Sequence, residues 1–251
     1  MKKNVIWKIL IYFIIYSIIG FFIETVYAIF TKGTIESRQS FLYGPFCIVY
    51  GIGAIALIFT LNKYKNNTIK LFFYGMIVGC IVEYFTSYIG ELMMNIKWWD
   101  YSNDFLDIHG RTCLYYALWW GALSIPLIRY INPFVDTCIE KVYNNVSPNF
   151  FKFVVSAITL FMAIDGLISY YALDVFLTRV SREYNIEIVG VEEKVENNIT
   201  PKLFSNEKMM MIYPNMIVVN SDGELVLLEN VLTDVKNYYY KFSSKSLNYD
   251  K

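Results

Sequence analysis

The stretch GMIVGCIVEYFTSYIGE, residues 75–91, carries a carboxylate, Glu83, near the centre of an apolar run. Taken every four residues it gives Gly75, Gly79, Glu83, Ser87 and Glu91. Positions four apart stack on one face of an α-helix and drift by about 40° per step. Small residues on such a stripe let a second helix approach closely. The pattern predicts a helix that turns Glu83 into an interface with another helix and away from lipid.

The rest of the chain supports a membrane setting for that helix. Apolar residues make up 56% of the 251 residues and charged residues only 18%, with a mean hydropathy of +0.38. An ordinary soluble domain of this size is less apolar, whereas lipid accepts such a surface. The formal net charge is zero, which argues against nucleic acid as a partner, because phosphate binding needs concentrated Lys and Arg. Cys47, Cys80, Cys113 and Cys138 are widely spaced and form no CxxC pair; free thiols are expected. Lys2 and Lys3 precede an apolar run as in a signal peptide. That run, Ile9 to Ile23, is at the long limit for such a core, and Glu24 then interrupts it, so a retained membrane helix is expected.

Five segments are long and apolar enough to cross about 30 Å of hydrocarbon, which takes about 20 helical residues. They lie at about 9–30, 41–61, 69–94, 112–131 and 151–176. The expected fold is therefore an all-α membrane bundle of about five transmembrane helices over 1–176. A small, polar α+β tail domain follows over 177–251. Within the tail, MIVVNSDGELVLL (216–228) alternates around Ser221-Asp222-Gly223 and predicts a hairpin. Lys and Arg in the short loops divide nine to six in favour of an inner N-terminus and an outer tail.

Three of the five segments each place an acid among small or hydroxyl residues. Glu24 stands between Gly20 and Ala28, Glu83 between Gly79 and Ser87, and Asp165 has Ser169 four residues on. A centrally placed acid costs roughly 2.5–3.5 kcal/mol on the lower insertion scales, so such residues mark functional sites by default. The functional reading is an interior polar site for a cation, a proton or a basic substrate group. The structural alternative is that each acid bonds to a neighbouring helix through tyrosines such as Tyr16, Tyr50 or Tyr84.

The connector NIKWWDYSNDFLDIHGR, residues 95–111, concentrates the remaining chemistry. Trp98 and Trp99 suit an aromatic belt at the membrane interface. Asp100, Asp104, Asp107 and His109 have no familiar metal-ligand spacing, so no metal is assigned. Phosphate-loop, nucleophile-elbow, zinc-protease and Rossmann patterns are absent from the sequence. No catalytic residue and no cofactor is assigned.

Two segments carry a family resemblance. SFLYGPFCIVYGIGA (40–54) and WWDYSNDFLDIHGRTCLYYALWWG (98–121) resemble the hallmark segments of the ABC-transporter type IV family, bacterial multi-pass membrane proteins. Glu24 matches a recurring family position, and FSNEKMMMIYPNM (204–216) is similar to a tail segment of many members. Gln39-Ser40 stands where the family has Arg-Gly, Val49 replaces an Ile, and Cys47 sits near the usual Pro; Gly110-Arg111 is kept. The resemblance implies a permease-like component whose ATP-hydrolysing partner is a separate chain.

The expected protein is thus a permease-like component of the cell membrane, with the bilayer as its first partner. Glu24, Glu83 and Asp165 form its interior site. Trp99, Asp100, Tyr101, Gly110 and Arg111 shape its interfacial mouth. Arg111 either pairs with one of the acids or snorkels to headgroups. Two other classes stay open: a membrane enzyme acting on a lipid or cell-envelope substrate through Asp100 and His109, and a non-catalytic assembly or sensory partner.

Overall fold

Three apolar runs fold as long helices, α1 (Val5–Lys32), α3 (Thr68–Met94) and α6 (Pro148–Tyr184). All three are long and apolar enough to cross a membrane; even α3 measures about 40 Å at 1.5 Å per residue. The protein is described by a computed structural model over residues 5–191, 200–233, 235, 240 and 241.

Two expected spans take a different form. The second is helical only from Ile48, as α2 (Ile48–Leu61) followed by a 3₁₀ turn over Asn62–Tyr64; residues 36–47 are not helical. Pro45 explains much of this, since it has no N–H to donate and disfavours the helical conformation at Gly44 before it. The fourth span does not stop at Ile131. Helix α4 (Leu114–Pro126) passes through a π-helical turn, Leu127–Ile131, into α5 (Asn132–Asn145). The N–H of Leu127 reaches the carbonyls of both Leu123 and Ser124. The widened turn absorbs the break that Pro126 makes in the hydrogen-bond ladder.

The chain divides into two compact units. The first comprises Met1–Gly20, Cys47–Tyr88 and Asp100–Ile164. Its helices approach through small residues. A methyl group added at Gly79 would lie 2.1 Å from Cγ of Trp120, and one at Gly75 would lie 2.4 Å from Oγ of Ser124. That Ser124 hydroxyl donates to the carbonyl of Leu71 at 2.7 Å, so α4 packs along the first half of α3. On another face, the Tyr12 hydroxyl donates to the Asp136 carboxylate. One turn further, Tyr16 donates to Asn132 Oδ1 at 3.1 Å.

The second unit comprises Phe21–Phe46, Ile89–Trp99 and Asp165–Lys251. Among the described residues it holds two small sheets. One pairs β1 (Thr34–Ile35) with β5 (Tyr240–Lys241), antiparallel, with Thr34 opposite Lys241. The other has the order β2 (Ile96–Lys97), β3 (Ile217–Val219), β4 (Leu225–Leu227), all antiparallel. The β3–β4 hairpin sets Val218 opposite Val226 and turns through Gly223, whose φ is +80°. Two short helices, α7 (Thr200–Leu203) and α8 (Asn206–Ile212), precede it. Ser205 caps α8 by accepting from the N–H of Lys208 at 3.3 Å.

Helix α6 continues eight residues past Phe176, the expected end of the fifth span. The reason is its buried stripe: Phe176, Leu177 and Val180 pack in one core with Ile96, Met209, Val218 and Leu228. Arg179 is only 5% exposed, yet its Nε donates to Asn206 Oδ1 at 2.8 Å and its Nη2 donates to the carbonyl of Phe204. In the same core Tyr213 packs on Trp98, ring centroids 5.5 Å apart. Burial pushes the Tyr213 phenol above its ordinary range.

Candidate functional site

In the first unit, Glu83 sits on α3 with 5% of its surface exposed. Its carboxylate accepts from Thr112 Oγ1 at 2.7 Å and from the Tyr101 hydroxyl at 3.4 Å. One turn further along α3, Ser87 accepts from Nη1 of Arg111 at 3.2 Å. The Arg111 guanidinium also lies over the rings of Tyr84 and Tyr88, 5.9 and 5.3 Å from their centroids. Such contacts favour a cation that has been partly removed from water. Tyr84 completes the group through a 2.9 Å hydrogen bond between its hydroxyl and Nδ1 of His109.

All of these donors reach α3 from the segment 100–112, and that segment is built to turn back. The N–H of Tyr101 donates to the carbonyl of Gly110 at 2.8 Å, and that of Ile108 to the carbonyl of Thr112 at 2.8 Å. The Asp107 carboxylate accepts from the N–H of Gly110 at 2.9 Å. Gly110 has φ +66°, and a methyl group there would meet Asp100 Oδ1 at 2.2 Å. Leu106 and His109 also take left-handed backbone, at φ 53° and 55°. Two non-glycine residues in that region within one loop are costly, and such strain clusters at functional segments.

The turn-back sets a depth. Glu83 lies 11 residues before the last residue of α3, about 16 Å at helical rise. The chain therefore leaves α3 at Met94 and returns to its middle before α4 begins at Leu114. The same construction occurs after α1, which ends at Lys32, because the N–H of Cys47 donates to the carbonyl of Ser17 at 2.9 Å. Ser17 lies about 22 Å back from the end of α1.

Asp165 belongs to the second unit and has a different set of partners. It is 1% exposed. Its carboxylate accepts from the backbone N–H of Tyr43 at 3.2 Å and of Gly44 at 2.9 Å. Ser169, one turn on, accepts from the N–H of Leu42 at 2.9 Å. Backbone N–H groups in a non-helical segment have no ladder partners, and burial makes unpaired donors costly. Asp165 and Ser169 answer that need for residues 42–44. Glu24, half-buried on α1, also lies in the second unit.

Of the expected mouth residues, Asp100, Tyr101, Gly110 and Arg111 fall in the first unit and Trp99 in the second. Asp100 accepts from Ser102 Oγ at 2.6 Å and stands against Gly110, so it holds the loop. Among the described residues there is no group of three or more His, Cys, Asp or Glu side chains able to hold a metal ion. Sequence reasoning missed Thr112 as a hydroxyl partner of Glu83, and it missed the group in which Lys8 pairs with Asp136 at 3.5 Å beside Tyr12, Tyr16 and Asn132. The signal for that group was present: Lys8, Tyr12 and Tyr16 recur every four residues, as do Asn132 and Asp136.

Neither the curated proteins nor the solved structures contain a match to this chain. A family model does match, over residues 11–170, with the description "Putative ABC-transporter type IV". That range runs from within α1 into α6, with both hallmark segments and the entire Glu83 group. The three apolar helices give the protein a membrane location, and with the match over most of its length, the chain belongs to the ABC-transporter type IV family, a transport-associated membrane family.

Proposed function

We propose that the protein is a multi-pass, permease-like component of a transport system, with Glu83 at the heart of its interior polar site. The observation that carries this reading is the burial of a carboxylate within a hydroxyl-lined group, one helical turn from a residue that Arg111 engages. A carboxylate so placed suits a proton, a cation or a basic group of a substrate. Asp165 plays the supporting part, holding the non-helical backbone that precedes α2. Glu24, on α1 in the second unit, is proposed as a further candidate acid.

In this reading the chain crosses the membrane five times, with the N-terminus inside and the tail outside. The second crossing combines the short helix α2 with the turned-back segment 36–47, and the fourth joins the turned-back segment 100–113 to the helix that starts at Leu114 and runs on through the π-helical turn. Non-helical backbone at membrane depth is tolerated where protein buries it or where it lines a water-filled cavity. Discontinuous helices of this kind often border the substrate path in transporters. The family to which the chain belongs points to an ATP-hydrolysing subunit as the source of energy for transport.

The test is purification of the tagged protein from its own cells, followed by ATPase measurement on what co-purifies. A chain with a nucleotide-binding phosphate loop should accompany it, and Glu83→Gln should lower the ATP turnover of the complex about tenfold without dispersing it. Absence of any such chain, together with wild-type behaviour of Glu83→Gln, would overturn the proposal.

A further inference from the structure

A second charged group lies at the other end of α3, in the connection from α2. No Asp or Glu occurs between Glu36 and Glu83, while Lys63, Lys65 and Lys70 fall within eight residues of one another. Arg129 joins them from the π-helical turn: its Nε donates to the carbonyl of Lys65 at 2.9 Å and its Nη2 to Thr68 Oγ1 at 2.7 Å. Lys63 and Lys70 both approach the ring of Tyr64, with Nζ 5.0 and 5.7 Å from its centroid. Tyr64 is itself stacked on Tyr74 at 4.9 Å. None of the four cations forms an ion pair with an acid among the described residues.

Like charges gathered without a counter-charge repel one another, so holding them together costs free energy unless an anion completes the group. Here two hydrogen bonds fix Arg129, one of them on the backbone carbonyl of Lys65, and two ring contacts fix Lys63 and Lys70. We propose that Lys63, Lys65, Lys70 and Arg129 bind the headgroup phosphate of an anionic phospholipid. Depth and surroundings both favour a lipid over a free anion. Lys70 is 13 residues before Glu83, about 20 Å along α3. With Glu83 near the middle of about 30 Å of hydrocarbon, Lys70 lies in the headgroup layer. The neighbours Ile69, Phe73 and Tyr130 are 70%, 58% and 68% exposed, an apolar shoulder for an acyl chain that a free phosphate would not use.

Native mass spectrometry of the full chain, released from nanodiscs of phosphatidylglycerol and phosphatidylcholine with matched acyl chains, tests the site. Each basic residue near an anionic surface contributes about fivefold to lipid retention. The double variant Lys63→Gln/Lys70→Gln should therefore lose about twenty-five-fold in retained phosphatidylglycerol. Lys63→Arg/Lys70→Arg, which keeps the charge, should retain it. Lys141→Gln/Lys152→Gln, two lysines outside this group, should change retention by less than about twofold. Equal retention by the first variant, or an equal loss in the control pair, overturns the proposal. Displacement of the lipid by millimolar inorganic phosphate does so too, because the ligand would then be a soluble anion.

Discussion

Thr112 and Glu83, 29 residues apart in sequence, share a 2.7 Å hydrogen bond in which the threonine hydroxyl donates to the buried carboxylate. The bond ties the turned-back segment to the middle of α3 and satisfies a group that cannot reach water easily. The Tyr101 hydroxyl stands further off, at 3.4 Å.

Removing that donor should be felt as instability. Thr112→Val keeps the shape and deletes the hydroxyl, removing one hydrogen bond from the buried carboxylate at a cost of about 1–3 kcal/mol. Thr112→Ser should recover most of the loss, because it restores the donor. Thermal unfolding of the purified protein in detergent reads the difference. If Thr112→Val and Thr112→Ser unfold together, the bond contributes nothing and the packing of the methyl group decides.

The packing stripe makes a sharper steric prediction. At Gly79 an added methyl group would meet the Trp120 side chain at 2.1 Å, whereas at Gly90 the nearest atom, Nε1 of Trp98, is 3.4 Å away. Gly79→Ala should therefore force α3 and α4 apart and cost about 1–3 kcal/mol, as overpacking does. Gly90→Ala should be tolerated or slightly stabilising, since alanine favours the helix by roughly 1 kcal/mol over glycine. The pair of melting temperatures checks this, and a reversed order would mean that Trp120 moves aside freely.

The two cases show what could be read from sequence. The spacing of Gly75, Gly79 and Glu83 is a local, periodic signal, and it correctly announced a helix face built for close approach; Ser124 and Trp120 occupy it. The alternation on either side of Asp222 likewise announced the β3–β4 hairpin. Hydropathy carries no such information about conformation. Residues 41–47 are apolar enough to extend a membrane helix, yet Pro45 and long-range backbone contacts keep them non-helical. Pro126 was an ambiguous sign, because a π-helical turn let the helix continue to Asn145. The partners of the acids were the hardest to foresee. Glu83 takes a hydroxyl from Thr112, and Asp165 takes N–H groups from residues 122 and 121 positions away, and neither pairing leaves a periodic trace.

Asp165 supplies the last prediction, which separates a supporting carboxylate from a substrate-binding one. Asparagine keeps one oxygen acceptor but presents an NH₂ group to a place where the Tyr43 and Gly44 N–H groups already point. Two charge-assisted bonds, each of about 1.5–3 kcal/mol, would be weakened or lost. Asp165→Asn should thus destabilise the protein by several kcal/mol on that scale, and hydrogen exchange at the amides of Leu42, Tyr43 and Gly44 should accelerate before exchange in α6 does. Glu83→Gln should leave those three amides unchanged, because the Glu83 group lies in the other unit. An Asp165→Asn protein that keeps its stability and its slow exchange at 42–44 would remove the supporting role, leaving binding as the reason for a buried acid at this position.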